Sequence, residues 1–173
     1  MITMLDLEQL AEEMGVMIVT HTGGKKGGWN PTTRTVSLRE GMHEVQTLCT
    51  LAHELGHAHY RHQLGATGLA REQQEREANE WAAILLIDEN DYMAAEINCD
   101  SISSIAHELG VTILMVGIWR QLYAKGKIPQ YCIQEAYSAA GEMGFGWWLV
   151  EHYLPYHVDC PNSCGLGEST GGR

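Results

Sequence analysis

The sequence predicts an α+β fold: a small antiparallel sheet packed against a pair of helices, followed by a helix-turn-helix-like helical region. Three observations carry this. Two β-prone runs near the N-terminus flank a glycine-rich connector, two longer central segments place apolar residues at helical spacing, and two short apolar segments meet at Gly110.

Residues 5–14 place Leu5, Leu7, Leu10, Ala11 and Met14 at helical spacing, and Gly15 ends the pattern before the β-prone run "VMIVTHT". "GGKKGGWNP" has turn chemistry, and in "TRTVSL" Thr33, Thr35 and Ser37 alternate with Arg34, Val36 and Leu38. A hairpin with a long tip is expected. From Gly41 to His62 there is no proline, and Leu48, Leu51, Leu55 and Ala58 mark one buried helical stripe. A second helix over 70–87 presents Ala78, Ala82, Ala83, Leu85 and Leu86, and the acidic turn "DEND" follows it. "DSISSIAHELGVTILMVGIWRQLYAKG" reads as two short helices about a turn at Gly110-Val111-Thr112. The organisation expected is a core over 1–95, the helical region over 96–128 packed on it, and a C-terminal extension over 129–173 whose polar end is disordered.

A chain of 173 residues, 45% of them hydrophobic, suits one sizeable core. Its net charge of -11, from 22 acidic and 11 basic side chains, repels phosphate backbones and anionic lipid, so neither nucleic acid nor membrane is expected as a partner. No run reaches the roughly 18 apolar residues of a membrane span, and the start has no signal-like pattern. Five scattered cysteines, Cys49, Cys99, Cys132, Cys160 and Cys164, cannot all pair and fit a reducing cytoplasm.

The chemistry concentrates in "CTLAHELGHAHYRH", residues 49–62. On a helix, His53 and His57 are separated by about 40° in projection and one turn along the axis, so both imidazoles can address one metal ion. Glu54 is rotated by about 100° from His53, displaced from the ligand pair, where it can act as general base on water. Catalytic zinc takes three protein ligands and leaves one position open. On the second helix, with Glu75 at zero, Asn79 lies at about 40° and Leu86 at about 20°, whereas Glu77 and Glu80 point away at about 200° and 140°. Glu72, at about 60°, is the only rival. A carboxylate on an apolar stripe needs compensation that a dication supplies, which favours Glu75 as third ligand. Asn79 is placed to hydrogen-bond a ligand imidazole.

"TLAHELGHAHYRH" followed by "EREANEWAAILL" resembles the ImmA/IrrE metallopeptidases, gluzincin-like proteins in which H-E-x-x-H precedes E-x-x-[AS]-[ND]-x-[FW]-A-x-x-L-L. The resemblance runs over roughly residues 5–125. It implies a zincin-like core, one zinc per chain on His53, His57 and Glu75, and Glu54 as general base. It also implies that Arg34, Thr35, Val36, Ser37 and Leu38 form an edge strand along which the substrate lies. The activity implied is limited cleavage of a specific cytoplasmic protein, a transcriptional repressor of a phage or mobile element. Trp81 stands where phenylalanine is common, and Ile87-Asp88 follows Leu85-Leu86 where proline is usual.

Other features read as structural. "HELG" recurs at His107–Gly110, but Val111 stands where a second histidine would be. The second helix of the helix-turn-helix pattern carries only Arg120, which suits packing or partner docking more than DNA. His59 and His62 read as non-ligands. Tyr60, about -20° from His53 in projection, faces the cleft as a candidate substrate or oxyanion contact. His152, His157, Cys160 and Cys164 match no common zinc finger, and Trp147-Trp148 reads as a packing plug. A second functional reading is a zinc-stabilised module that sequesters a partner without cutting it. That module needs a fourth protein ligand, for which Cys49 is the nearest candidate.

Overall fold

The computed structural model describes residues 1–128. Helix α1 (Met4–Glu13) opens with a capping box in which Thr3 Oγ1 accepts from the Asp6 N–H and Asp6 Oδ2 accepts from the Thr3 N–H, and it buries Leu7, Leu10 and Ala11. Gly15, at φ 64°, turns the chain into strand β1 (Met17–His21), which β2 (Gly27–Asn30) and β3 (Thr35–Arg39) follow. Helices α2 (Glu44–His59), α3 (Gly68–Leu86), α4 (Glu89–Asn98), α5 (Ile102–Glu108) and α6 (Ile113–Ala124) complete the described chain.

The class is α+β, but the sheet is mixed where an antiparallel one was expected. Its order is β1-β3-β2, with β1 parallel to β3 (Met17 opposite Thr35) and β2 antiparallel to it (Trp29 opposite Val36). The reason lies in "GGKKGGWNP": its second half is itself a strand. The true hairpin joins β2 to β3, and Asn30 Oδ1 closes its turn by accepting from the Thr32 and Thr33 N–H groups. With two glycines, Gly27–Asn30 carries no alternation that could mark it as β.

Strand β3 is consequently central, which corrects its assignment as an edge. Arg34 donates to the Gly15 and Met14 carbonyls at the end of α1. Thr35 Oγ1 donates to Thr33 O, and Ser37 Oγ to Gly28 O. Val36 and Leu38 are buried. Thr35 to Leu38 pair with strands on both sides, and the edge beside α2 is β2.

Helices α2 and α3 pack through Leu51, Ala52, Leu55, Ala78 and Ala82, all fully buried. They approach closely at Gly56, where a Cβ would sit 2.9 Å from Ala78 O and 3.0 Å from Ala78 Cα. A side chain at 56 would hold the helices apart. "DEND" is a helix start: Asp88 caps α4 by accepting from the Asn90 and Asp91 N–H groups. Helices α5 and α6, joined at Gly110 (φ 62°), belong to the same compact unit as the preceding elements. Trp119 of α6 is fully buried, donates from Nε1 to Ile87 O at 3.1 Å and stacks on Tyr92. No single helix among the described residues is long and apolar enough to cross a membrane; α5 and α6 reach that composition only jointly and are bent by 103°. The candidates His152, His157, Cys160, Cys164, Trp147 and Trp148 lie outside the described residues, as does the 129–173 extension.

Candidate metal centre

Helix α2 runs unbroken through its histidines because no Gly or Pro interrupts it before Gly56, and its apolar stripe is seated on the sheet and α3. This places His53 and His57 on one flank, one turn apart. Opposite them, Ala78 at the Gly56 contact sets the height of α3, so that Glu75, one turn earlier, reaches the histidines. His53 Nε2 and His57 Nε2 lie 3.1 Å apart, and Glu75 Oε2 is 3.5 and 4.0 Å from them. Tetrahedral zinc with bonds of about 2.0–2.2 Å needs ligand–ligand edges of about 3.3–3.6 Å, a range these three distances bracket. Glu72 is not in this cluster, whose three donor atoms lie within 4.8 Å of one another.

The outer nitrogens explain the inner ones. Asn79 Oδ1 lies 2.9 Å from His53 Nδ1, and an amide oxygen only accepts, so Nδ1 carries the proton. His62 Nε2 lies 3.0 Å from Glu77 Oε2 and donates to it, which leaves Nδ1 of that tautomer to accept from His57 Nδ1, 2.8 Å away. Both Nε2 atoms are left with lone pairs facing each other. Burial pushes His57 down to about 3, with His53 and His62 adding to the effect, and burial also holds His53 low against the pull of Glu75. A proton is therefore a poor filler for this gap, and the donor set fits a metal cation.

Glu54 is buried at 7% exposure. Burial first, and the charge of Glu75 second, raise its carboxyl to about 7, although the Trp29 backbone N–H and Lys25 act in the opposite direction. Glu54, the two histidines and Glu75 line one open cavity of about 560 Å³, together with Lys25, Trp29, Leu64 and Arg71. Gly27 lets β2 come this close: a Cβ there would sit 2.6 Å from Thr50 Cγ2 and 3.0 Å from Glu54 Oε1.

Tyr60 does not line that cavity. It caps the end of α2, stacks on His62, and has its hydroxyl raised to about 12 by burial and then by Glu77 and Glu80. Projection gives azimuth but not height, and seven residues carry Tyr60 about 10 Å along the axis beyond His53. His59 stacks on Trp81. Cys49 is buried and hydrogen-bonded to Thr112, with burial raising its thiol, and so offers no fourth ligand.

Sequence reasoning missed Gly27, Trp29, His62 and Glu77. His62 follows the end of α2, where Arg61 at φ 54° folds the chain back and the His62 N–H donates to His57 O. Helical projection carries no information past such a reversal.

Among protein families, Peptidase_M78, described as the IrrE N-terminal-like domain, matches residues 11–119. No curated protein and no solved structure matches the chain.

Proposed function

The chain thus belongs to the Peptidase_M78 family, and from that premise we propose that it is a zinc-dependent endopeptidase making limited cuts in one specific protein. The substrate class is a transcriptional repressor of a phage or mobile element, met in the cytoplasm. The observation that carries the peptidase reading is the pairing, in one cavity, of a three-donor cluster with the buried Glu54, whose carboxyl is raised to about 7.

His53, His57 and Glu75 would hold the zinc ion, which when bound supplies Lewis acidity at the scissile carbonyl and makes water a stronger nucleophile. Glu54 takes the proton of the attacking water and passes it to the departing amine, a task suited to a base whose pKa lies near the operating pH. The substrate lies extended along β2, whose outer edge is unpaired among the described residues and whose Gly27 and Gly28 border the cavity. The sequestering alternative needs a fourth protein ligand, and Cys49 is turned to Thr112.

The test is metal content and repressor cleavage by wild type, Glu54→Gln and Glu75→Ala, using repressors from the same genetic neighbourhood. The expected result is about one zinc in the first two proteins, less in the third, and cleavage by wild type alone. Undiminished cleavage by zinc-loaded Glu54→Gln would remove the base from the mechanism.

A further inference from the structure

We infer that His62, anchored by Glu77, is the positioning residue for the metal ligand His57: it fixes which ring nitrogen of His57 is protonated and the plane in which the other faces the metal. The inference rests on the metal-centre reading above and deepens it. Every polar group of His62 is engaged. Its Nδ1 faces His57 Nδ1 at 2.8 Å, and its Nε2 faces Glu77 Oε2 at 3.0 Å. Its N–H donates to His57 O at 3.0 Å, and its carbonyl accepts from Trp29 Nε1 at 3.2 Å. At 8% exposure it is, with Glu54, one of the two buried polar or charged side chains among the described residues. Tyr60 covers its ring face at 5.5 Å, and Gln73 Nε2 holds the second oxygen of Glu77 at 2.9 Å.

A histidine whose two ring nitrogens are committed in this way can serve its neighbour in one sense only. Glu77 accepts the hydrogen bond from Nε2–H, leaving Nδ1 as an acceptor, which draws the His57 proton to Nδ1 and leaves the His57 Nε2 lone pair for the metal. The partial negative charge passed along the chain makes that lone pair a better donor. His53 is oriented by a neutral amide, Asn79, so the two imidazole ligands are supported unequally. The Trp29 link also ties the loop that carries His62 to β2, the strand proposed to receive substrate.

The test is zinc affinity by chelator competition on the full chain, with the visible spectrum of the cobalt-substituted protein as a report of ligand geometry. His62→Leu removes both links and is expected to bind zinc about 10–100-fold more weakly, with an altered cobalt spectrum. His62→Asn keeps an acceptor near the Nδ1 position and is expected to recover most of the loss. Glu77→Ala, on the more exposed end of the relay, is expected to weaken binding several-fold in wild type but to add nothing to His62→Leu, because it acts only through His62. If His62→Leu fails to fold without metal, Glu77→Ala carries the comparison. Wild-type zinc affinity and an unchanged cobalt spectrum in His62→Leu, or in Glu77→Ala, would overturn the inference and leave the peptidase reading intact. Absence of zinc binding by wild type would overturn both.

Discussion

Gly56→Ala tests whether the metal centre depends on how closely two helices approach. The added methyl would lie 2.9 Å from Ala78 O, 3.0 Å from Ala78 Cα and 3.3 Å from Trp81 Cε3, and the first two atoms are backbone that no rotamer change can move. Restoring an ordinary separation of 3.4 Å displaces α3 by about 0.5 Å. Two effects oppose each other. Alanine gains about 1 kcal/mol of helix propensity over glycine, whereas overpacking a closed interface costs about 1–3 kcal/mol. Because Ala78, Ala82 and Leu55 around the contact have no exposed surface to yield into, the cost prevails, by about 1 kcal/mol net. For a chain of this length that lowers the melting temperature of the metal-free protein by about 2–4 °C. The second consequence is more specific. Glu75 sits one turn from Ala78 and moves with α3, lengthening edges that are already 3.5 and 4.0 Å, so zinc affinity should fall by tenfold or more. Thermal unfolding with and without zinc, together with chelator competition, measures both effects. A Gly56→Ala protein that is more stable and binds zinc as tightly as wild type would refute the argument, because α3 would then not be held at the distance the site requires.

Three further outcomes follow from the same geometry. Glu54 has its folded-state pKa raised from 4.5 to about 7, so the folded state favours the protonated carboxyl, and this contribution is present below pH 4.5 and lost as pH rises through about 7. Glu54→Gln should therefore stabilise the metal-free protein at pH 8 and have little effect at pH 4; equal effects at both would show that Glu54 titrates normally. Trp119→Ala should cost about 3–5 kcal/mol in chemical denaturation, and Trp119→Phe about 1–3 kcal/mol by stranding Ile87 O. Gly27→Ala should keep zinc and lose kcat, since its methyl meets Thr50 Cγ2 and the Glu54 side chain and no ligand; a loss of zinc with normal turnover per bound zinc would contradict this.

What was legible in the sequence was whatever a single helix encodes. The 3.6-residue repeat places His53, His57, Glu75 and Asn79 by azimuth alone, and α2 and α3 are long enough for that to hold. What was illegible depends on partners distant in sequence. Strand β2 has glycine at two of its four positions, and its pairing is dictated by β3 and α2 more than by its own pattern. The reading of β3 as an edge failed with it, because centrality is a property of the neighbours. Glu77, rejected for pointing about 200° away from Glu75, is useful for that reason: it meets a histidine returning from beyond the helix end.

The two glycines that sequence reading passed over explain why the metal ligands lie where they do on α2. With Glu54 at zero, Thr50 lies at about -40°, His57 at about -60°, His53 at about -100° and Gly56 at about -160°. Strand β2 descends at Gly27 onto the Thr50 and Glu54 side, and α3 closes at Gly56 on the other. The histidines occupy the arc between these two approaches, the part of the helix surface that both partners leave uncovered while walling it on either side. A base on the β2-facing side of α2 and a carboxylate ligand from the α3 wall then line the same cavity. Widening either approach by a methyl group should accordingly damage a different half of the chemistry, the base at position 27 and the metal at position 56.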